Sequence, residues 1–197
     1  MNIFENKDFV KKLNETLKNG DVIAFVTDTV WGVGCLPQSE KGVEKIYELK
    51  SRDRSKPLIL MSNDVENLMP YVKNISPKAQ ELVDKHFPGA LTLIFEKSDK
   101  TPPYITSEQN TVGIRVPDNQ TFKNLCEAID GHVLATTSAN LSSQPSAKNY
   151  QETLDFIGEY VDLVIEDYGN EAKGLESTVA LALGDEIKIL RQGAVVL

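Results

Sequence analysis

Four basic residues fall within one short stretch, Lys50-Ser51-Arg52-Asp53-Arg54-Ser55-Lys56-Pro57, and a single carboxylate, Asp53, interrupts them. The chain as a whole is acidic, with 21 Lys+Arg against 29 Asp+Glu and a net charge of −8, so this positive cluster is a local exception. A second cation, Arg115, lies on a strand whose alternation puts Thr111, Gly113 and Arg115 on one face and Val112, Ile114 and Val116 on the other. Arginine is seldom buried unpaired, so Arg115 either reaches solvent at a sheet edge or meets an anion. A third set, Thr137-Ser138-Ala139-Asn140-Leu141-Ser142-Ser143, follows an apolar strand with hydroxyls and an amide able to donate to an anion or to cap the next turn. Cations and hydroxyls with no evident nucleophile suit catalysis by positioning and charge stabilisation around phosphate.

Other chemistries lack their residues. The sequence holds no Gly-x-x-x-x-Gly-Lys-Ser/Thr loop and no Gly-x-Gly-x-x-Gly, and Gly32-Val33-Gly34 alone specifies nothing. Its only histidines, His86 and His132, fall at the ends of expected elements, where neither a zinc site nor a Ser-His-Asp triad is signalled. Two cysteines, Cys35 and Cys126, give neither a disulfide framework nor metal-ligand spacing. No run approaches the roughly 18–20 apolar residues of a membrane span, and the N-terminus has no apolar signal region, so the expected location is the cytoplasm. The acidic balance argues against an extended nucleic-acid footprint and leaves room for a basic pocket fitted to a small polyanion.

The elements that must position these groups alternate along the chain. Helices are expected over Phe4–Lys18 (stopped by Asn19-Gly20), Ser39–Leu49 with Ser39 as cap, Asn63–Val72, Ser76–His86, Asp118–Ile129 and Thr153–Tyr160. Strands are expected over Asp21–Thr27, Pro57–Met61, Leu91–Glu96, Thr111–Val116, His132–Thr136 and Val161–Glu166. Ser177–Leu183 and Glu186–Arg191 read as a hairpin across Gly184-Asp185. The segment 28–35 reads as a glycine-bearing loop, 97–110 as a long loop of the kind used to bind ligands, and 167–176 as a further loop. With no linker or repeat, the chain reads as one α/β domain over residues 1–197, with a twisted mixed sheet flanked by helices. The closing hairpin excludes an all-parallel sheet.

Seven segments, taken in order, resemble one family. Thr27-Asp28-Thr29-Val30-Trp31-Gly32-Val33-Gly34 is similar to the Pro-Thr-Asp-Thr-x-Tyr-Gly-Leu signature of the YrdC/Sua5 family, the L-threonylcarbamoyladenylate synthases. Lys50-x-Arg52 with Lys56-Pro57-Leu58, Pro88-Gly89-Ala90-Leu91-Thr92 and Thr111 to Pro117 continue the resemblance. Thr137-Ser138-Ala139-Asn140, Ser177-Thr178-Val179 and Ile189-Leu190-Arg191-Gln192-Gly193 complete it. The resemblance implies a concave, basic cavity and the reaction of ATP, L-threonine and bicarbonate to threonylcarbamoyl-AMP, pyrophosphate and water, toward N6-threonylcarbamoyladenosine at position 37 of tRNA.

Carried over, Lys50, Arg52 and Lys56 would face the ATP phosphates, with Lys50 and Arg52 catalytic. Ser138, Asn140 and Arg191 would also contact the nucleotide, and Thr29, Thr111, Arg115 and Ser177 would hold threonine. Mg2+ would arrive with ATP, with no metal ligand from the protein and no tightly bound organic cofactor. The expected partners are separate tRNA threonylcarbamoyl-transferase proteins, with weak or no direct tRNA binding, as for the minimal single-domain type. The chain departs from the pattern at Val26 (usually Pro), Trp31 (usually Tyr), Met61 (often His), Ser143 (often Gly) and Lys148 (often Arg). Two other readings stay open: a double-stranded RNA or tRNA-binding or ribosome-maturation module, and a paralogue acting on another carbamoyl substrate.

Overall fold

The computed structural model describes residues 2–51, 53–140 and 146–197. Among the described residues nine strands form one sheet: β1 (Ile23–Phe25), β2 (Gly32–Cys35), β3 (Ile59–Ser62), β4 (Leu91–Glu96), β5 (Thr111–Arg115), β6 (Val133–Ser138), β7 (Leu163–Val164), β8 (Thr178–Leu183) and β9 (Glu186–Arg191). Their spatial order is β7-β1-β2-β6-β3-β5-β4-β8-β9. The β1/β7, β3/β5 and β4/β8 pairs are parallel and the other five antiparallel, so the sheet is mixed as expected. Helices α1 (Lys7–Lys18), α2 (Glu40–Lys50), α3 (Pro77–His86), α4 (Gln120–Ala128) and α5 (Tyr150–Ile157) flank it.

The two faces of the sheet differ, and the difference creates the site. One face carries Val33, Leu58, Leu60, Leu91, Leu93, Phe95, Val112, Ile114 and Ala135, packed with Val43, Ile46 and Tyr47 of α2, Ala79 and Val83 of α3 and Ile157 of α5. The opposite face carries Ile23, Phe25 and Leu134, covered by Leu13 and Leu17 of α1 and Phe122 and Leu125 of α4. Helices cover only part of that second face. Over β4, β5, β8 and the end of β6 its side chains turn polar (Thr92, Arg115, Ser177, Thr136, Ser138), and a cavity opens there.

Three expectations are corrected. The segment 28–35 is not all loop, because Gly32–Cys35 is a strand between β1 and β6. Its glycines are there for space: a Cβ on Gly32 would lie 2.9 Å from Phe25 Cε2, and one on Gly34 3.0 Å from Phe25 Cε1. Asn63–Val72 is not an α-helix but two 3-10 turns, Val65–Asn67 and Met69–Tyr71. Pro70, which has no N–H to donate, sits where an α-helix would need one. The strand expected over Val161–Glu166 shrinks to Leu163–Val164, paired to β1 alone.

Candidate active site

The described residues of the basic turn part in different directions. Ser39 caps α2 by accepting from Gly42 N (3.0 Å), and Ser51, at φ +44°, ends the helix in the left-handed region. Lys50 is therefore the last helical residue, a favourable place for a cation. Its side chain turns inward. Although lysine is seldom fully buried, Lys50 is 2 % exposed. Nζ donates to Ser138 O (2.5 Å), Asn140 O (2.7 Å) and Asn140 Oδ1 (2.7 Å). An ammonium has three hydrogens, and these three acceptors match them. Ser138 Oγ donates to the same Asn140 Oδ1 (2.6 Å), so Lys50 and the β6 end form one hydrogen-bonded turn.

Arg54 instead forms a two-armed pair with Glu44 (2.7 and 2.6 Å) and lies over the Tyr47 ring. Lys56 is exposed, and Tyr47 Oη donates to its carbonyl (2.8 Å). Arg52, and Ser143 among the family departures, lie outside the described residues.

Arg115 is the second focus. It sits on a central strand, between β3 and β4, and is 2 % exposed, so the solvent-edge alternative falls and the anion alternative holds. The anion is Asp28, which is 5 % exposed and paired with Arg115 Nη2. Nε donates to Gly89 O (2.9 Å) and Nη1 to Thr29 Oγ1 (2.8 Å). Burial lowers the Arg115 pKa, the Asp28 carboxylate works against that, and the like charge of Arg191 adds to it.

Hydroxyl protons in this corner can be assigned. Thr27 Oγ1 donates to Val30 O (2.7 Å), which uses its one proton. In the 3.0 Å contact between Thr27 and Thr29 the donor is therefore Thr29, whose oxygen accepts from Arg115. Thr29 is thus oriented from both sides, and its carbonyl is pinned by Gly174 N (2.7 Å).

A cavity of about 200 Å3 lies over this floor, lined by Thr29, Met61, Arg115, Ser138, Ser177 and Arg191 among others. Ser177 Oγ lies 2.9 Å from Thr92 Oγ1. Arg191 reaches back from β9, with Nε and Nη2 donating to Ser177 O (3.2 and 2.9 Å) and Nη1 to Glu176. Of the residues singled out in the sequence, Thr29, Arg115, Ser138, Ser177 and Arg191 share this one wall, drawn from five separate segments. Lys50 and Asn140 support it from the β6 turn.

Thr111 does not join the Arg115 corner. It pairs with Glu96 at the start of β5, four residues and roughly 13 Å along the strand from Arg115. It lies two residues before Gly113, where the β3/β5 pairing begins at Ile59. Asp28 and Glu176 were missed in the sequence. A buried arginine demands a carboxylate, but nothing in the spacing says which of 29 supplies it.

The profile of a protein family described as "Telomere recombination", which groups Sua5, YciO and YrdC, matches residues 15–193. The chain belongs to the Sua5/YciO/YrdC family. Threonylcarbamoyl-AMP synthase of Enterobacter sp. (strain 638) is 34% identical over 169 residues, covering 85% of this chain and 88% of that protein. The Vibrio campbellii protein of the same name is 32% identical over 95% of this chain and 100% of its own length. Among solved structures, P. abyssi Sua5 complexed with L-threonine superposes with TM-score 0.85 at 31% identity over 94% of this chain; the chain spans 54% of that protein. E. coli YciO superposes with TM-score 0.84 at 25% identity, over 95% of this chain and 90% of the other.

The departures from the YrdC/Sua5 pattern now have positions. Val26 is fully buried in the core. Trp31 packs on that same core, its ring 6.1 Å from Tyr150, and its indole N–H has no hydrogen-bond partner among the described residues. Met61 lines the cavity, where a thioether presents no strong donor or acceptor. Lys148 is exposed, its N–H donating to Glu152 (2.9 Å).

Proposed function

We propose that this protein forms threonylcarbamoyl-AMP and pyrophosphate from ATP, L-threonine and bicarbonate, the first chemistry toward N6-threonylcarbamoyladenosine in tRNA. The observation that carries the reading is the convergence of Thr29, Arg115, Ser138, Ser177 and Arg191 on one cavity wall. The relatives named threonylcarbamoyl-AMP synthase, and the threonine complex of a superposable Sua5, support the same substrates.

In this reading the amino-acid carboxylate lies against Arg115, which has two N–H groups beyond the three given to Asp28, Thr29 and Gly89. Ser177 and Thr29 border the same ligand. The threonine amine attacks the carbon of bicarbonate, water is lost, and a carbamate remains. A carbamate oxygen then attacks the α-phosphorus, and the bond to the β-phosphate oxygen breaks as pyrophosphate leaves. Ser138, Asn140, Arg191 and Lys56 border the nucleotide, and Arg52 enters on sequence grounds alone.

Lys50 contributes charge beside the reacting phosphate and fixes the Ser138–Asn140 turn, which keeps those donors preorganised. Thr111, distant from Arg115 along β5, is assigned in this reading to the nucleotide rather than to threonine.

Mg2+ on the triphosphate would neutralise charge on the leaving pyrophosphate. Asp28 and Glu176, the carboxylates nearest the cavity, are each engaged by an arginine, which leaves the phosphate oxygens themselves as the metal's donors in this reading.

Separate transferase proteins would take the adenylate onward, in the cytoplasm. No described helix is long and apolar enough to cross a membrane. Carbon-14 bicarbonate tests the reading. Label should enter an ATP- and threonine-dependent adenylate that runs with authentic threonylcarbamoyl-AMP, and no such product would defeat it.

A further inference from the structure

Two arginine–carboxylate pairs border the cavity, and they differ in kind. Arg115–Asp28 is buried, with side chains 3% and 4% exposed. Arg191–Glu176 stands at the cavity mouth, with side chains 47% and 43% exposed. Glu176 is the only carboxylate among the described residues that line the cavity.

The backbone around the outer pair is tightly fixed. Ala194 N donates to Glu176 O (2.9 Å), and Thr178 Oγ1 donates to Val195 O (2.5 Å) while accepting from Gly193 N (2.9 Å). Any Cβ on Gly193 would collide with the backbone of Glu176 and Ser177, so the two segments touch main chain to main chain. Arg191 itself is held through Nε and Nη2 on Ser177 O. The guanidinium is therefore held by bonds independent of the anion that faces Nη1, and the half-exposed Glu176 side chain borders solvent.

We propose that Glu176 is a built-in counter-anion for Arg191, exchanged for a phosphate of the nucleotide on binding. The proposal rests on the reading that Arg191 is a nucleotide contact. It explains why a carboxylate lines a cavity meant for a polyanion. The charge of Arg191 acts against that of Arg115 across the site, and a carboxylate on Arg191 would offset that repulsion until a phosphate does. It also makes Arg191 selective. A neutral ligand gains nothing by displacing Glu176, and a monocarboxylate replaces like with like, whereas a triphosphate brings more charge than it removes.

The pair is exposed and correspondingly weak, so exchange is easy and its effect on affinity modest. Calorimetric titration of the full chain with ATP, with adenosine as a neutral probe, tests this. Glu176→Gln should bind ATP about two- to five-fold more tightly than the parent, the span of an exposed pair of this kind. Adenosine affinity should not change, and the gain with ATP should shrink as salt is raised. Glu176→Asp keeps the charge on a shorter stem and should fall between the two.

Equal or weaker ATP binding by Glu176→Gln, in a protein where Arg191→Ala loses ATP affinity, would overturn the counter-anion role and leave the nucleotide assignment standing. ATP affinity unchanged in Arg191→Ala would overturn that assignment and the counter-anion role together.

Discussion

Replacing Lys50 with methionine separates two roles that look alike in the sequence. The apolar stem survives while the ammonium is lost, along with bonds to Ser138 O, Asn140 O and Asn140 Oδ1 at 2.5, 2.7 and 2.7 Å. A hydrogen bond from a charged donor is worth about 1.5–3 kcal/mol, so the gross loss is on the order of 4–9 kcal/mol. Relief from burying the charge returns several kcal/mol. A net destabilisation of about 2–4 kcal/mol remains, which for a domain of this size lowers Tm by roughly 5–15 °C. Activity should fall with it, since the Ser138–Asn140 turn loses its anchor. Thermal melts read the first effect and pyrophosphate release, measured well below the variant's Tm, the second. A Lys50→Met protein that melts within about 1 °C of the parent, yet has lost 100-fold in rate, would refute the structural role. It would mean that the ammonium spends its hydrogens on the substrate.

Other substitutions probe the remaining parts. Asp28→Asn leaves the Arg115 charge buried without its counter-ion and should cost about 3–5 kcal/mol in denaturant unfolding, with weaker threonine binding. Gly113→Ala places a methyl 2.8 Å from Ile59 Cγ2 on the cavity side of β5 and should cost about 1–3 kcal/mol by the same assay. Burial pushes the Cys35 thiol up to about 12 and raises that of Cys126 as well, so neither should react with a thiol reagent near neutral pH until the protein is unfolded. Serine, which lacks one methyl group of threonine, should turn over about 10–200-fold less efficiently, and valine, which lacks the hydroxyl, should do worse. Valine outperforming serine in competition assays would mean that the hydroxyl is not read.

Much of the frame was legible because hydrophobic period and caps were strong. Ser39, Ser76 and the Gly184-Asp185 turn mark the ends of α2, α3 and β8 where they were expected. What failed was tertiary in origin. Gly32 and Gly34 look like turn residues, but they are in the sheet because the Phe25 ring occupies the space a Cβ would need. The basic turn looked like one functional patch. Folding divides it, burying Lys50 under the β6 end and leaving Arg54 on Glu44. Thr111 and Arg115 share a face of β5 by period, which says nothing about the length of strand between them. Asp28 and Glu176 became visible only when the fold brought them to Arg115 and Arg191.

Pyrophosphate release from ATP, measured with threonine and bicarbonate supplied together and singly, tests the central claim most directly. The account predicts release only when both are present, with Arg115→Ala reducing it sharply. Release that is indifferent to either co-substrate, or none under any combination while the folded protein binds ATP, would contradict it.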